Sequence, residues 1–558
     1  MSSRVLQPDE TKTWSIGASP EAKRAAFVIA VSLLALVPVL VFGVPSNRDL
    51  SNHFRFALPF YDAIANGNFY PGWLAESNGG YGDPSFRFYP PALYYLLSLF
   101  RFVTGEWYAA TLITFALIAV AAGLGIYFWA RTVLSSSQAM WVALFYAVAP
   151  YHLNQLYQAT MLAEWAGSAV LPFVFAFLER VCAQGRRRDV AGLAFCYALL
   201  VLTHLPLTVI GSMALVVYAL VRVEAARRVR TLVQLGAAAA LGLCASSIYW
   251  VTMVSEMRWI GINQIDHDAS VDYRFNFLLS TFSPDNLNVW WMNILLLMTL
   301  LLSAPALAAP ISSFFRRHEW RKQRELRAVV VLTLFALFMA VPLSRPIWNL
   351  LSPLQETQFP WRWLAVGSMG VAVLCAASVI RINQFGRTPR IIVLSAMTIA
   401  VVFTLSHVVR EAKFLPRPDF ENTLAEVRGT SSVNYWFPIW ASSTPKPMTN
   451  EIEVAGRAVA VNAWTPETRR FSVAAGETTE ARVRTFYYPH WTATSGAQLL
   501  NTRPDKDGAL LISLPRDAVS VDLVFQEPLR THLSSAASLA GFMFIGALAM
   551  PLPWRRKR

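Results

Sequence analysis

The chain has 558 residues, 55% of them hydrophobic and only 15% charged, with 48 Lys and Arg against 34 Asp and Glu for a net charge of +14. Apolar runs of about 18–20 residues recur along it, long enough to cross about 30 Å of hydrocarbon as helices, which excludes a single water-soluble core. The basic residues fall in short clusters between those runs, at 186–188, 222–230, 316–327, 381–390 and 555–558; that pattern follows the positive-inside rule and excludes a nucleic-acid-binding patch.

Residues 1–24 read as a cytoplasmic N-terminal segment. The first apolar run, 25–44, has a basic flank (Lys23, Arg24) but no small-residue cleavage site, so it reads as an uncleaved anchor. An outer loop over 45–107 follows. It opens on Asn47-Arg48-Asp49-Leu50-Ser51-Asn52-His53 and continues through Gly67-Asn68-Phe69-Tyr70-Pro71-Gly72-Trp73, Gly79-Gly80-Tyr81-Gly82-Asp83-Pro84 and Phe86-Arg87-Phe88-Tyr89-Pro90-Pro91. A carboxylate at the mouth of a membrane helix, followed by aromatic and Gly-rich turns, predicts a loop that grips a polar ligand at the membrane surface. Residues 89–103 are apolar but short and start on two prolines. Counting them as a span would put Arg186-Arg187-Arg188 outside, so they are assigned to a helix lying in the outer interface.

Further spans are expected at 108–130, 138–151, 161–181, 189–203, 206–222, 231–254, 290–312, 327–343, 363–381, 390–408 and 533–553, twelve in all. With both termini cytoplasmic, every basic cluster lands inside and the outer loops are neutral or acidic. The transmembrane domain is thus 25–409. Residues 410–532 change character: alternating stretches such as Glu451-Ile-Glu-Val, Arg457-Ala-Val-Ala-Val, Ala481-Arg-Val-Arg-Thr-Phe and Val519-Ser-Val-Asp-Leu-Val-Phe, separated by turn residues, predict a small extracytoplasmic β-sandwich. Residues 533–558 return as a last helix and a basic tail. Cys182, Cys196, Cys244 and Cys375 all lie in or beside apolar runs, which leaves no disulfide framework or CxxC site.

Under this topology several ionisable side chains, far apart in sequence, fall on one side of the bilayer. Asp49 and His53 stand at i, i+4 and would share a helix face. Glu164 opens one span, His204 sits in the Pro-broken turn Thr203-His204-Leu205-Pro206, Arg345 lies in Ser344-Arg345-Pro346, and Arg362 follows Gln358-Phe359-Pro360-Trp361. A shared outer pocket accounts for them economically. Each also has a plain structural reading: Asp49 as a helix cap, the histidines as satisfied core imidazoles, Arg362 as a snorkelling cation. A carboxylate inside a membrane helix end is nonetheless costly unless it faces a cavity or partner, and a guanidinium is the best bidentate partner for phosphate. Trp73 and Tyr81 are candidate platforms for a sugar ring, and Asp266-His267-Asp268 is a short candidate metal run of a kind common in solvated loops.

Asp49-Leu-Ser-Asn-His53-Phe-Arg55, Gly67-Asn-Phe-Tyr-Pro71-Gly-Trp73, Asn78-Gly-Gly-Tyr81-Gly82-Asp-Pro84, Phe88-Tyr89-Pro90-Pro91, Ala163-Glu164, Thr203-His204-Leu-Pro206 and Gln358-Phe359-Pro360-Trp361-Arg362 together resemble the GT-C superfamily of polytopic glycosyltransferases, more narrowly bacterial membrane proteins labelled 6-pyruvoyl-tetrahydropterin-synthase-related. Tyr487-Tyr488-Pro489-His490-Trp491 also resembles a Tyr-Pro-Gly-Trp element of related large transferases, with His490 in place of the glycine.

The resemblance implies a helical membrane domain of GT-C type, in the bacterial inner membrane, with a catalytic aspartate in the first outer loop. It implies a polyprenyl-phosphate-linked sugar as donor, a cell-envelope glycan, lipid or protein as acceptor, membrane lipid as surroundings and no nucleic acid. Asp49 would be the general base of an inverting transfer. Arg362, with Arg345, would stabilise the departing phosphate, while His53, Glu164 and His204 orient the reactants. Many members pair the aspartate with a second acid two residues on; Ser51 stands there in this chain. A divalent cation (Mg or Mn) therefore stays an open option only. The alternatives are a transporter or flippase of lipid-linked saccharides and a non-catalytic membrane scaffold. Mid-depth broken helices or a two-fold repeat would mark the transporter, and neither is legible in the sequence.

Overall fold

The structure, a computed structural model, describes residues 19–550 except 262–269, 284–285, 309–323, 380–381, 383–384, 429, 431–435 and 442–444. Asp266, His267 and Asp268 thus lie outside the described residues.

Among the described residues six helices are long and apolar enough to cross a membrane: Trp107–Val133, Leu162–Ala183, Leu205–Arg222, Pro360–Val379, Arg387–Glu411 and Leu529–Ala549. Two bent pairs raise the number to eight, against the twelve expected. The other expected spans coincide with helices that are shorter or interrupted. The run at 25–44 divides into Pro20–Leu34 and Val37–Phe42, because Pro38 offers no backbone N–H to the preceding turn and crowds its carbonyl. The run at 138–151 splits likewise into Ser136–Ala147 and Pro150–Tyr157. Leu287–Leu302 has 16 residues and gives way at Ser303 to a short helix, Ala304–Ala308.

The bent pairs are Ala225–Ala245 with Ser247–Trp259, turned by 74°, and Arg324–Met339 with Pro342–Leu350, turned by 90°. At 1.5 Å per residue the described parts of their first arms are about 31 and 24 Å long. Ala92–Thr104 is the short helix expected over 89–103; its 13 residues rise about 20 Å, too little to span.

The C-terminal region forms two antiparallel sheets. Strands β3 (Ile452–Glu453), β6 (Glu480–Phe486), β10 (Ala509–Ser513) and β9 (Thr502–Pro504) are neighbours in the order β3-β6-β10-β9. The other sheet runs β4-β5-β11-β7-β8, from Val459–Trp464, Thr468–Val473, Val519–Phe525, Trp491–Ser495 and Gln498–Leu500. Alternation drives the pairing: Val519, Val521, Leu523 and Phe525 point inward while Ser520 faces solvent, as a half-buried strand requires. The sandwich therefore covers 452–525, less than the 410–532 expected. Arg387–Glu411 stays helical to its end. Phe414–Leu415 (β2) pairs with Val44–Pro45 (β1), and the helix Arg417–Val427 packs on the bundle by setting Phe420 edge-on to Phe54 and Tyr108.

The first loop is the socket of this sandwich. Trp73 inserts among Tyr488, Trp491 and Phe525, with ring centroids 5.4–5.8 Å away. The Tyr81 ring lies on Phe486, its hydroxyl donates to the Lys446 carbonyl at 2.6 Å, and its own carbonyl accepts from Phe486 N–H at 2.7 Å. Gly82 has φ +84°, and a Cβ there would meet the Trp73 indole at 2.3 Å, so only glycine fits. Beneath the socket, fully buried Arg87 donates Nε and Nη2 to Glu256 at 2.5 and 2.8 Å and Nη1 to Glu527 at 2.5 Å. Tyr488 and Arg530 donate to the same Glu256 carboxylate at 2.8 and 2.9 Å, and His490 Nε2 lies 2.9 Å from it. Paired charges satisfied from several sides let loop, helix end and sandwich share one buried joint.

Candidate active site

Asp49 precedes the helix Leu50–Ala65 and is held by a turn at 159–161. Its N–H donates to Thr160 Oγ1 at 2.9 Å, Arg48 N–H donates to the same oxygen at 3.2 Å, and Thr160 Oγ1 donates to the Ala159 carbonyl at 2.8 Å. Thr160 has φ +49°, a left-handed conformation that a β-branched residue adopts only under constraint. Gln358, just before the Phe359-Pro360 step, has φ +63°. Both strained residues border the cluster formed by Asp49, Glu164 and Arg362.

One turn into its helix, His53 is buried. Leu162 N–H donates to His53 Nε2 at 3.0 Å, so the proton belongs on Nδ1, which faces Tyr94 Oη at 3.0 Å. Desolvation lowers its pKa to about 4; the imidazole is neutral and ties Ala92–Thr104 to the start of Leu162–Ala183. Glu164, 1% exposed, accepts from Tyr151 Oη at 2.5 Å, Gln155 Nε2 at 2.6 Å and Arg362 Nε at 2.8 Å. Arg362 also donates Nη1 to the Thr357 carbonyl at 2.5 Å and lies over Phe359, 4.7 Å from the ring centroid. His204 caps Leu205–Arg222 by accepting from Leu207 N–H at 3.2 Å, and it is within electrostatic reach of Arg362 and His53.

Asp49 is half-buried. Desolvation raises its pKa above the ordinary 3.8, while a hydrogen bond from Asn52 (3.3 Å) and the cations Arg362 and Arg48 oppose that rise. The side chain is thus a carboxylate with an elevated proton affinity, open on one side and facing positive charge on the other.

Asp49, His53, Glu164, His204 and Arg362 therefore come together, from four separate stretches of sequence. Arg345 does not join them. It donates to the Arg274 carbonyl at 3.1 Å and sits over Phe277, because Trp348 of its short helix packs against Tyr273 and Phe277 and leaves Arg345 on the outer face. Arg48, exposed beside Asp49, is the second cation instead. Trp73 and Tyr81 are corrected too: both rings are buried in the sandwich joint and offer no face to a sugar. Trp73→Ala is expected to cost about 3–5 kcal/mol of stability, read as a lowered thermal midpoint; unchanged melting with weakened sugar binding would restore the stacking role.

Sequence reading missed Thr160, Tyr94, Tyr151 and Gln155. Tyr151 and Gln155 stand at i, i+4 on a short helix and so both reach Glu164. Tyr89, partly exposed, lies within electrostatic reach of Asp49, Arg362 and Glu164; it was visible only as part of an aromatic motif.

The donors suit a divalent cation poorly. The Glu164 oxygens are taken by Tyr151, Gln155 and Arg362, and both His53 nitrogens are engaged. Among the described residues no three His, Cys, Asp or Glu side chains are grouped to hold a metal, and such ions take several oxygen ligands.

A family profile described as a 6-pyruvoyl-tetrahydropterin synthase related domain, membrane protein, matches residues 86–415, more than half the chain. The chain belongs to this family of membrane proteins. Among solved structures it is similar to the arabinofuranosyltransferase AftD from Mycobacteria, at 17% identity and TM-score 0.44, over 72% of this chain and 27% of that one. It is similar to ArnT from Cupriavidus metallidurans bound to undecaprenyl phosphate, at 13% identity and TM-score 0.41, over 69% of this chain and 64% of that one. The oligosaccharyltransferase of Archaeoglobus fulgidus aligns at 13% identity and TM-score 0.41, over 77% of this chain and 59% of that one. The chain thus spans about a quarter of the first and under two thirds of the others. A search of curated proteins found no match.

Proposed function

We propose that this family member is an integral-membrane glycosyltransferase. It moves a sugar from a polyprenyl-phosphate carrier to a cell-envelope acceptor on the extracytoplasmic face, with inversion. The observation that carries the reading is the half-buried Asp49 carboxylate, its proton affinity raised by burial, set beside Arg362 and Arg48 and backed by the buried Glu164. Asp49 takes the acceptor hydroxyl's proton as that oxygen bonds to the anomeric carbon. The bond from that carbon to the phosphate oxygen breaks, and the phosphate leaves with the electron pair. Arg48 and Arg362 face the charge that develops on it. Neutral His53 and His204 and the Glu164–Arg362 pair hold this geometry. The prenyl tail stays in lipid throughout, which is why such a site belongs in a membrane protein.

The test is transfer by the purified chain in proteoliposomes supplied with polyprenyl-phosphate sugars. Mass spectrometry of envelope glycans, with and without the protein, identifies the acceptor. Appearance of a glycosylated acceptor supports the reading; movement of an intact lipid-linked saccharide across the bilayer without transfer would replace it with the flippase.

A further inference from the structure

At the end of the bundle away from Asp49, four helices enclose an apolar groove of about 320 Å³, in the size range of small-ligand sites, about 300–1,000 Å³. Leu178 of Leu162–Ala183 closes it from behind, and Leu193, Val216, Leu232 and Gly236 come from Arg187–Thr203, Leu205–Arg222 and Arg228–Ala245. Its polar wall groups, Tyr197 and Ser212, satisfy each other through a hydroxyl–hydroxyl bond of 2.8 Å, so the interior stays greasy. Val216 and Leu232 are exposed at its mouth, on the side where the bundle meets hydrocarbon.

Arginines stand at the start of two helices that line this groove. Arg228 precedes Leu232 by four residues, about 6 Å along the same helix and on the same face, and Arg186 and Arg187 open the helix that carries Leu193. Gln234 Nε2 donates to the Gly185 carbonyl at 2.8 Å and thereby brings the two basic segments together. Arg186, Arg187, Arg188, Arg227, Arg228 and Arg230 are all exposed. The neighbouring acids are already engaged: Asp189 by Arg180 at 2.7 Å, Glu179 by Arg222 at 2.7 Å and Glu224 by Arg324 at 3.7 Å. Among the described residues none of the six arginines has a carboxylate partner in an ion pair.

An open apolar slot that ends in unneutralised guanidinium groups is complementary to one chemistry, an acyl chain joined to a phosphate. We propose that this end of the bundle binds one anionic phospholipid, an acyl chain in the groove and the headgroup phosphate among the arginines of 186–188 and 227–230. The site is separate from the transfer chemistry and does not depend on it. It would fix the bundle to an anionic leaflet, and its affinity would fall as salt screens the headgroup.

The full chain, purified in detergent, is titrated with phosphatidylglycerol and with phosphatidylcholine of the same acyl chains, and bound lipid is counted by native mass spectrometry. One phosphatidylglycerol is expected to bind in preference. Combining R227Q, R228Q and R230Q should lower its affinity about 100-fold, at about fivefold per arginine, and leave phosphatidylcholine unchanged. Gly236 has open space where a Cβ would stand, so Gly236→Leu should fill the groove and displace the lipid; if that variant fails to fold, Val216→Trp at the mouth does the same work. An unchanged phosphatidylglycerol affinity in the triple variant, retention of the lipid in the filled groove, or its displacement by equimolar undecaprenyl phosphate would overturn the assignment.

Discussion

Asp49→Asn is expected to lower sugar transfer by about 10²–10⁴-fold, the usual worth of a positioned general base, while the protein still folds and binds donor. The amide has the shape of the carboxylate. Its oxygen can go on accepting from Asn52, and the backbone clamp at Thr160 uses only the N–H of residue 49. What it lacks is a lone pair basic enough to take a proton. Donor affinity should therefore change little, and the loss should fall on turnover. A transporter that used the same loop would be nearly indifferent to the change.

Arg362→Met is the second large effect and acts twice. Removal of the guanidinium leaves Glu164, 1% exposed, with Tyr151 and Gln155 as its remaining partners. Breaking one side of a buried ion pair costs about 3–5 kcal/mol because the surviving charge is stranded. The same change removes a cation facing the departing phosphate, at about 10²–10³ in turnover. Glu164→Gln added to Arg362→Met should recover most of the stability, since an amide carries no charge to strand, and none of the turnover. Thermal unfolding and transfer measured on both variants separate the two effects. A single variant as stable as the parent would show that the pair contributes packing alone.

Charge logic in the sequence groups Asp49, His53, Glu164, His204 and Arg362 by the side of the membrane on which each has to lie, and the structure sets these side chains near one another. Strand periodicity was equally readable in Val519–Phe525 and Glu480–Phe486. Aromatic loops were not: Trp73 and Tyr81 in a Gly-rich turn look alike whether they hold a sugar or plug a sandwich, and only burial distinguishes the two. Thr160 carries no sequence mark, because its role comes from a backbone conformation. Arg345 was misplaced because its short helix is oriented by Trp348, a contact that no local pattern reveals. The break in the run at 25–44 is legible in principle, since Pro38 stands within it.

The pH dependence of kcat/KM for transfer, which reports the free enzyme's titrating groups, tests Asp49 as the base most directly. Burial raises its pKa above 3.8, and only the deprotonated form can accept the hydroxyl proton. The rate constant should therefore be full above that raised value and fall as pH drops through it. In Asp49→Asn the small residual rate should show no such acid limb. An undiminished rate in Asp49→Asn, or the same limb surviving in it, would contradict the account.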